Sequence, residues 1–292
     1  MGGATVLAAG LRGERRSAGY QDTNGDAFSP AETMYGGSIT LRHELDAHRT
    51  AYARLARGYK AGGFNLGEEL PASLRTFDTE TLHNLEVGLR GANADQSWTY
   101  DLAVFYMRRY DQQVPTGIQA VEGDPSTFIQ FTDNAAGGQN YGLEATLGWR
   151  PTPSLLLDLR AALLETNYLD YAYEGRDLDG REQAHAPQYQ FDLGLEYRRS
   201  GFFTRVDFAG VDDFYFDDSH DERAPSRVLT HLKAGFSGKL WRVEVWVRNL
   251  FDEYHSQRGF WFGNEPPEFA AQRYVQAGDP RHLGITVSHD FR

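Results

Sequence analysis

With 292 residues, 40% hydrophobic and 13% aromatic, the chain has enough apolar material to form an ordered fold and lacks a disordered composition. A formal charge of −12 excludes a phosphate-neutralising nucleic-acid binder, and the absence of cysteine excludes disulfides and thiolate metal or redox sites. No run approaches the roughly 20 apolar residues of a membrane-spanning helix, but a mean hydropathy of −0.56 is compatible with a membrane barrel, whose strands alternate lipid-facing and water-facing residues.

The opening MGGATVLAAGLRGERR has no basic n-region, and its apolar run is about seven residues long before Arg12, short of a secretory signal. Period-two alternation then recurs along the chain. In SWTYDLAVFYMRR, Trp98, Tyr100, Leu102, Val104 and Tyr106 share one face. In YGLEATLGWR, Leu143, Ala145, Leu147 and Trp149 oppose Glu144, Thr146, Gly148 and Arg150. In YQFDLGLEYR, Tyr189, Phe191, Leu193, Leu195 and Tyr197 oppose Gln190, Asp192, Gly194, Glu196 and Arg198. In WRVEVWVRN, Trp241, Val243, Val245 and Val247 oppose Arg242, Glu244, Trp246 and Arg248. The closing LGITVSHDFR sets Leu283, Ile285, Val287, His289 and Phe291 on one side, so the chain reads as a strand almost to Arg292. No segment has the 3.6-residue period of an amphipathic helix.

This pattern predicts an all-β, antiparallel meander of about twelve strands, centred near residues 8, 40, 54, 86, 103, 145, 160, 193, 206, 232, 246 and 287. The connections alternate in length. DAHR (46–49), NADQ (93–96), PTP (151–153), RSG (199–201) and GKL (238–240) are tight; 15–35, 62–78, 111–135, 169–187, 212–226 and 252–280 are long. Compact soluble domains seldom carry so many long structureless loops, whereas transmembrane barrels have short turns on one rim and long loops on the other. Trp98, Trp149, Tyr197, Phe202 and Trp241 flank the short turns with the parity of the apolar face, and Phe291 falls on the same rim. They are expected to form a lipid-interface girdle. A soluble β-sandwich is the alternative. It explains neither that repetition nor the mid-strand charges Asp192, Glu196, Arg242, Glu244 and Arg248, which a water-filled lumen would solvate.

AYARLARGYKAGGFN (51–65), TLHNLEVGLRG (81–91), DNAAGGQNYGLEATLGWRP (133–151), VRNLFDEYH (247–255) and GDPRHLGITVSHDF (278–291) resemble, in order and spacing, the C-terminal barrel of TonB-dependent outer-membrane receptors. The resemblance covers nearly the whole chain, and GLRGERR (10–16) is similar to a mid-barrel strand of that family. It implies a bacterial outer-membrane location, a barrel filled by an N-terminal plug, a TonB box, and uptake of metal chelates, often ferric siderophores. Large plugged barrels have about 22 strands, so the chain is expected to be the C-terminal portion of such a barrel, the plug and TonB box lying outside it. Its final strand would then pair with the first barrel strand, with Phe291 at the seam. The partners implied are outer-membrane lipid, the TonB complex, the barrel-assembly machinery through the C-terminal strand, and a small-molecule metal chelate or other nutrient.

The sequence offers little catalytic chemistry. Nine histidines (His43, His48, His83, His185, His220, His231, His255, His282 and His289) include no HExxH, and YGGSIT (35–40) lacks a nucleophile elbow. Ser38, Ser226 or Ser288 could meet a histidine across strands, but nothing selects one; a passive porin-like or complete twelve-stranded outer-membrane barrel is the alternative reading, and an outer-membrane hydrolase a more distant one. RDLDGRE (176–182) and DDFYFDDSHDE (212–222) hold only fragments of a calcium loop and read as solvated acidic loops. No cofactor or resident metal is expected. Aromatic residues suit stacking on a chelate, and Tyr59, Phe64, Tyr110, Tyr168, Tyr171, Phe214, Tyr215, Trp261 and Phe262 are the candidate ligand contacts; loop-packing and upper-rim aromatics would look the same in sequence.

Overall fold

The computed structural model describes residues 3–23, 25–66, 70–119, 127–173, 176–263 and 265–291. Twelve long strands form one sheet in which consecutive long strands are neighbours. They are β1 (Thr5–Ser17), β2 (Ala31–Glu44), β3 (Arg49–Lys60), β4 (Glu80–Ala92), β5 (Trp98–Gln119), β6 (Phe128–Thr152), β7 (Leu155–Leu169), β8 (Tyr189–Arg199), β9 (Phe202–Val211), β10 (Arg227–Ser237), β11 (Trp241–Arg248) and β12 (His282–His289). All twelve strand centres read from the sequence fall inside them, and every pairing among the described residues is antiparallel.

The tight turns follow from local chemistry. Between β8 and β9, Ser200 (φ 51°) and Gly201 (φ 86°) both take positive φ, the conformation whose twist suits a two-residue hairpin. Between β4 and β5, the Asn93 carboxamide accepts the Trp98 N–H at 2.8 Å and closes the turn.

The opposite rim differs from the sequence expectation of structureless loops. Segment 111–135 is largely strand, because β5 and β6 continue as a hairpin well above their neighbours. The Gly-rich AAGGQ stretch concealed it: register shifts between Asn134 and Gly138 break the alternation there. The other long connections carry hairpins of their own, at Tyr20–Gln21 with Ala27–Phe28, Gly63–Phe64 with Thr76–Phe77, Ala172–Tyr173 with Arg176–Asp177, Phe214–Tyr215 with Arg223–Ala224, and Ser256–Phe262 with Gln272–Ala277.

The two faces of the sheet have opposite chemistry. One face exposes Leu55, Val87, Val104, Leu143, Leu193, Leu195, Val243, Val245 and Ile285, far more contiguous apolar surface than a soluble monomer leaves in water. The other carries ion pairs: Arg205 holds Asp158 through two bonds of 2.8 and 2.9 Å, Arg242 meets Glu244 at 2.9 Å, and Arg198 bonds Glu196. On this polar face large rings lie against glycines directly across the strand: Tyr52 on Gly88, Phe105 on Gly142, Phe203 on Gly235 and Trp246 on Gly284. An added Cβ at Gly88 would come within 2.2 Å of the Tyr52 ring, so glycine makes room for the ring.

The short-turn rim carries aromatics on the apolar face. Trp98 stacks on Trp149 with centroids 4.8 Å apart; Phe202 meets Phe236 edge-on at 4.9 Å; Trp241 contacts His289, which in turn contacts Phe291. Tyr197, Phe202, Trp241 and Phe291 are exposed.

Val245 lies four residues beyond Trp241, about 13 Å along the strand and so near the middle of an apolar band about 25 Å tall. In a bilayer-refolding assay Val245→Arg is expected to cost about 2–4 kcal/mol, because the charge must leave water. Glu244→Arg, on the polar face, should cost much less. Equal costs would refute the assignment of faces.

Candidate functional site

The long-loop rim is built as two packed blocks. In the first, Asn65 bridges segments: its carboxamide donates to Leu74 O and Thr132 O at 2.7 and 2.8 Å and accepts the Thr132 N–H at 2.9 Å. Gln113 donates to Ala61 O and Asp78 O at 2.9 Å each, while its own N–H donates to Glu80, which Arg109 neutralises. Tyr20 packs on Phe28 and Phe64, and Arg75 lies over Phe28.

The second block joins loops 170–188 and 212–226 to the hairpin of 256–277. Val114, Tyr168, Tyr171 and Leu178 form a buried core. The Tyr168 hydroxyl donates to Asp218 at 2.7 Å, and burial, followed by the Asp218 charge, pushes this phenol up, so it stays a neutral donor. Phe214, Phe216 and Ala224 form a second core, against which Val211 and Trp261 pack. Between the cores, Tyr215 is sandwiched by two guanidinia, Arg181 at 3.9 Å and Arg223 at 3.8 Å from its ring. Arg223 also pairs with Glu182 at 2.7 Å and Asp213 at 2.5 Å, and Arg181 with Asp221 at 2.6 Å. Arg181, then Arg176, hold the Asp221 carboxyl below the usual carboxylate range. His220 lies flat on Trp261, with centroids 3.7 Å apart and 1° between planes, and its Nδ1 is 2.7 Å from Asp217.

This geometry sorts the sequence candidates. Tyr168, Tyr171 and Phe214 are buried and serve as loop core; Phe64 packs against Tyr20 within the first block. Tyr110 is on the apolar face beside His83 and Arg108, away from the loop cluster. The Phe262 side chain lies outside the described residues. Tyr59 rests by Gly36 and donates to Glu14 at 2.9 Å on the polar face. Tyr215 and Trp261 keep part of their surface open. Sequence reading missed Arg181, Arg223, His220, Asn65 and Gln113. It also took DDFYFDDSHDE for a solvated loop, where Asp213, Asp217, Asp218 and Asp221 each hold a specific partner. The interleaved DDFYF aromatics were the available signal that this acidic stretch packs. No group of three or more His, Cys, Asp or Glu side chains placed to hold a metal occurs among the described residues.

A single twelve-stranded meander, apolar on one face and polar on the other, with aromatic side chains along one rim and a packed loop layer at the other, is matched by a family model. The description "TonB dependent receptor-like, beta-barrel" covers residues 3–250. The chain belongs to the TonB-dependent receptor β-barrel family. It is 23% identical over 272 residues to the pesticin receptor of Yersinia pestis, a match that covers 91% of this chain and 37% of that protein. The fold is shared with the ferric yersiniabactin uptake receptor FyuA from Yersinia pestis (TM-score 0.77, 22% identity, 99% of this chain and 43% of that one). It is shared too with the siderophore receptor PiuA from Acinetobacter baumannii (TM-score 0.72, 16% identity, 97% and 40%). The chain thus spans well under half the length of these relatives. Barrels of this family are bacterial outer-membrane proteins, and the contrast between the apolar and the polar face of this sheet is that of a membrane barrel's wall.

Arg223→Ala removes two ion pairs and one side of the Tyr215 sandwich. It is expected to loosen loops 170–188 and 212–226 by roughly 1–2 kcal/mol. Limited proteolysis should then cut 212–226 faster while heat-modifiable migration of the barrel is unchanged; unaltered cleavage would show that the clamp contributes nothing. The Asp221 pins on Arg181 and Arg176 should persist at neutral pH and weaken only in acid, because a carboxyl with a lowered pKa loses its contribution as pH falls through that value.

Proposed function

We propose that this chain is the C-terminal part of the barrel wall of an active-transport receptor. In this reading the receptor imports a scarce solute, a ferric siderophore or other metal chelate, across the outer membrane with energy delivered through TonB. The observation that carries it is the ordered loop layer: two blocks of interlocked hairpins, with an aromatic and arginine cluster, on a wall whose family consists of such receptors. A passive pore has less need of a built loop surface. The relatives, a pesticin receptor and a ferric yersiniabactin uptake receptor among them, support the chelate class without fixing the ligand.

The partial span also fits the two edges of the sheet. Among the described residues β1 and β12 each pair on one side only, and unpaired N–H and C=O groups facing hydrocarbon cost several kcal/mol apiece. Further strands supplied by the rest of the receptor would close the wall, with β12 and Phe291 at the seam and available to the assembly machinery, and a plug and a TonB box would fill the barrel and couple it to energy. Ligand contacts in this reading come from Tyr59, Tyr215 and Trp261 rather than from the buried tyrosines.

The test is growth on a ferric chelate as sole iron source by a strain carrying the full-length gene, with and without TonB. Growth should require both; uptake unchanged without TonB would favour the porin reading. Trp261→Ala should weaken chelate binding by roughly tenfold, the loss of about 1–2 kcal/mol of stacking and cation–π contact, with the loops still protease-resistant. Unchanged affinity would remove Trp261 from the site.

A further inference from the structure

Strand register lines up side chains of the lipid-facing surface in rows. Ala53, Val87 and Val104 lie side by side; one step toward the long-loop rim come Leu55, Leu85 and Tyr106. The next step is Arg57, His83 and Arg108, again paired directly across β3, β4 and β5. Apolar rows thus give way at once to a row of three basic side chains. Arg108 lies ten residues from Trp98 of the girdle, about 33 Å along the strand and about 25 Å in height at the usual barrel tilt, the full thickness of the apolar band.

Arg57 lies over the Tyr35 ring at 3.9 Å and donates to the Tyr35 carbonyl. Arg108 lies over Tyr110 at 5.4 Å, and His83 meets the same ring at 5.5 Å. Among the described residues no carboxylate pairs with Arg57 or Arg108, whereas on the polar face Arg90, Arg109, Arg205 and Arg242 all meet one. Guanidinia on a lipid-facing wall extend their charge to the interface, and here none of the described residues supplies them a carboxylate counter-ion.

We propose that Arg57, His83 and Arg108 form a docking row for the phosphate groups of an outer-leaflet lipid. The guanidinium fork matches phosphate oxygens in pairs, and His83 adds a ring N–H between the two forks. With strands about 4.8 Å apart, Arg57 and Arg108 stand about 10 Å apart at the backbone, within the span of one headgroup bearing two phosphates. The tyrosines beside them sit at headgroup level, and the leucines below meet the acyl chains. This inference rests on the membrane setting of the family and not on which solute is carried.

The test uses the full-length receptor in neutral detergent and a fluorescent bisphosphorylated lipid A as probe. Arg57→Gln with Arg108→Gln should weaken binding about thirtyfold, at about fivefold per basic residue near an anionic surface. Arg54→Gln, on the polar face, should leave it unchanged. The dephosphorylated lipid should bind wild type no better than the double variant, and inorganic phosphate at equal concentration should not displace the probe. If the glutamine pair does not reach the heat-modifiable folded form, Arg57→Lys with Arg108→Lys, which keeps the charge and loses the fork, should show an intermediate loss. Equal affinity of wild type and either pair, or equal binding of the dephosphorylated lipid, would overturn the proposal. Displacement by inorganic phosphate would overturn the lipid as its occupant.

Discussion

In hydrocarbon, backbone amides have no water to turn to, and everything else in this wall follows from that. Each N–H and C=O that faces lipid must find a partner within the sheet. The meander is the economical solution, since antiparallel neighbours can be joined by turns as short as Ser200–Gly201. Once the ladder is continuous, side chains are free to obey two solvents at once. The residue-by-residue alternation of Leu193, Leu195 and Tyr197 with Asp192, Gly194 and Glu196 is the pattern that lipid on one side and water on the other would select.

The polar face solves a different problem. Its charges sit near a barrel interior rather than in bulk water, and several are neutralised locally, as where Arg205 binds both Asp158 and Asp207. Its rings need space that a curved wall with opposing side chains does not readily provide. Glycine on the neighbouring strand gives that space, at Gly88 for Tyr52 and at Gly284 for Trp246. Those glycines would weaken an isolated strand; here the ring lies over the exposed backbone in place of a side chain.

This division explains what could be read from the sequence. The wall was legible because its signal is repeated: twelve strands each report the same period, and Trp98, Trp149, Phe202 and Trp241 report the same rim. The hairpin top at 111–135 was not, because register shifts near Ala136 break the alternation on which the reading depends. The loop site was legible only as composition. Tyr168 and Trp261 look alike in a sequence; one is buried against Val114 and Leu178 and bonded to Asp218, the other lies under His220 with surface to spare. What distinguishes them is long-range packing between segments some 40 to 67 residues apart, as in the contacts of Arg181 with Asp221 and of Asn65 with Thr132. No local pattern encodes that.

The loop layer therefore has to satisfy a constraint that the wall does not. Above the membrane there is water on every side, so the backbone is not forced into a ladder, and order there has to come from side chains. Many of the acidic residues, which give the chain part of its −12 charge, are used for it: Asp213, Asp217, Asp218 and Asp221 each fix an arginine, a histidine or a tyrosine. Aromatics fill the space between them. A surface ordered in this way can be altered loop by loop while the twelve strands below stay the same, because its contacts run mainly among the loops themselves. That is the physical reason a wall can be shared at 16–22% sequence identity: the two environments of its faces fix the period of the strands, and nothing comparable fixes the loops.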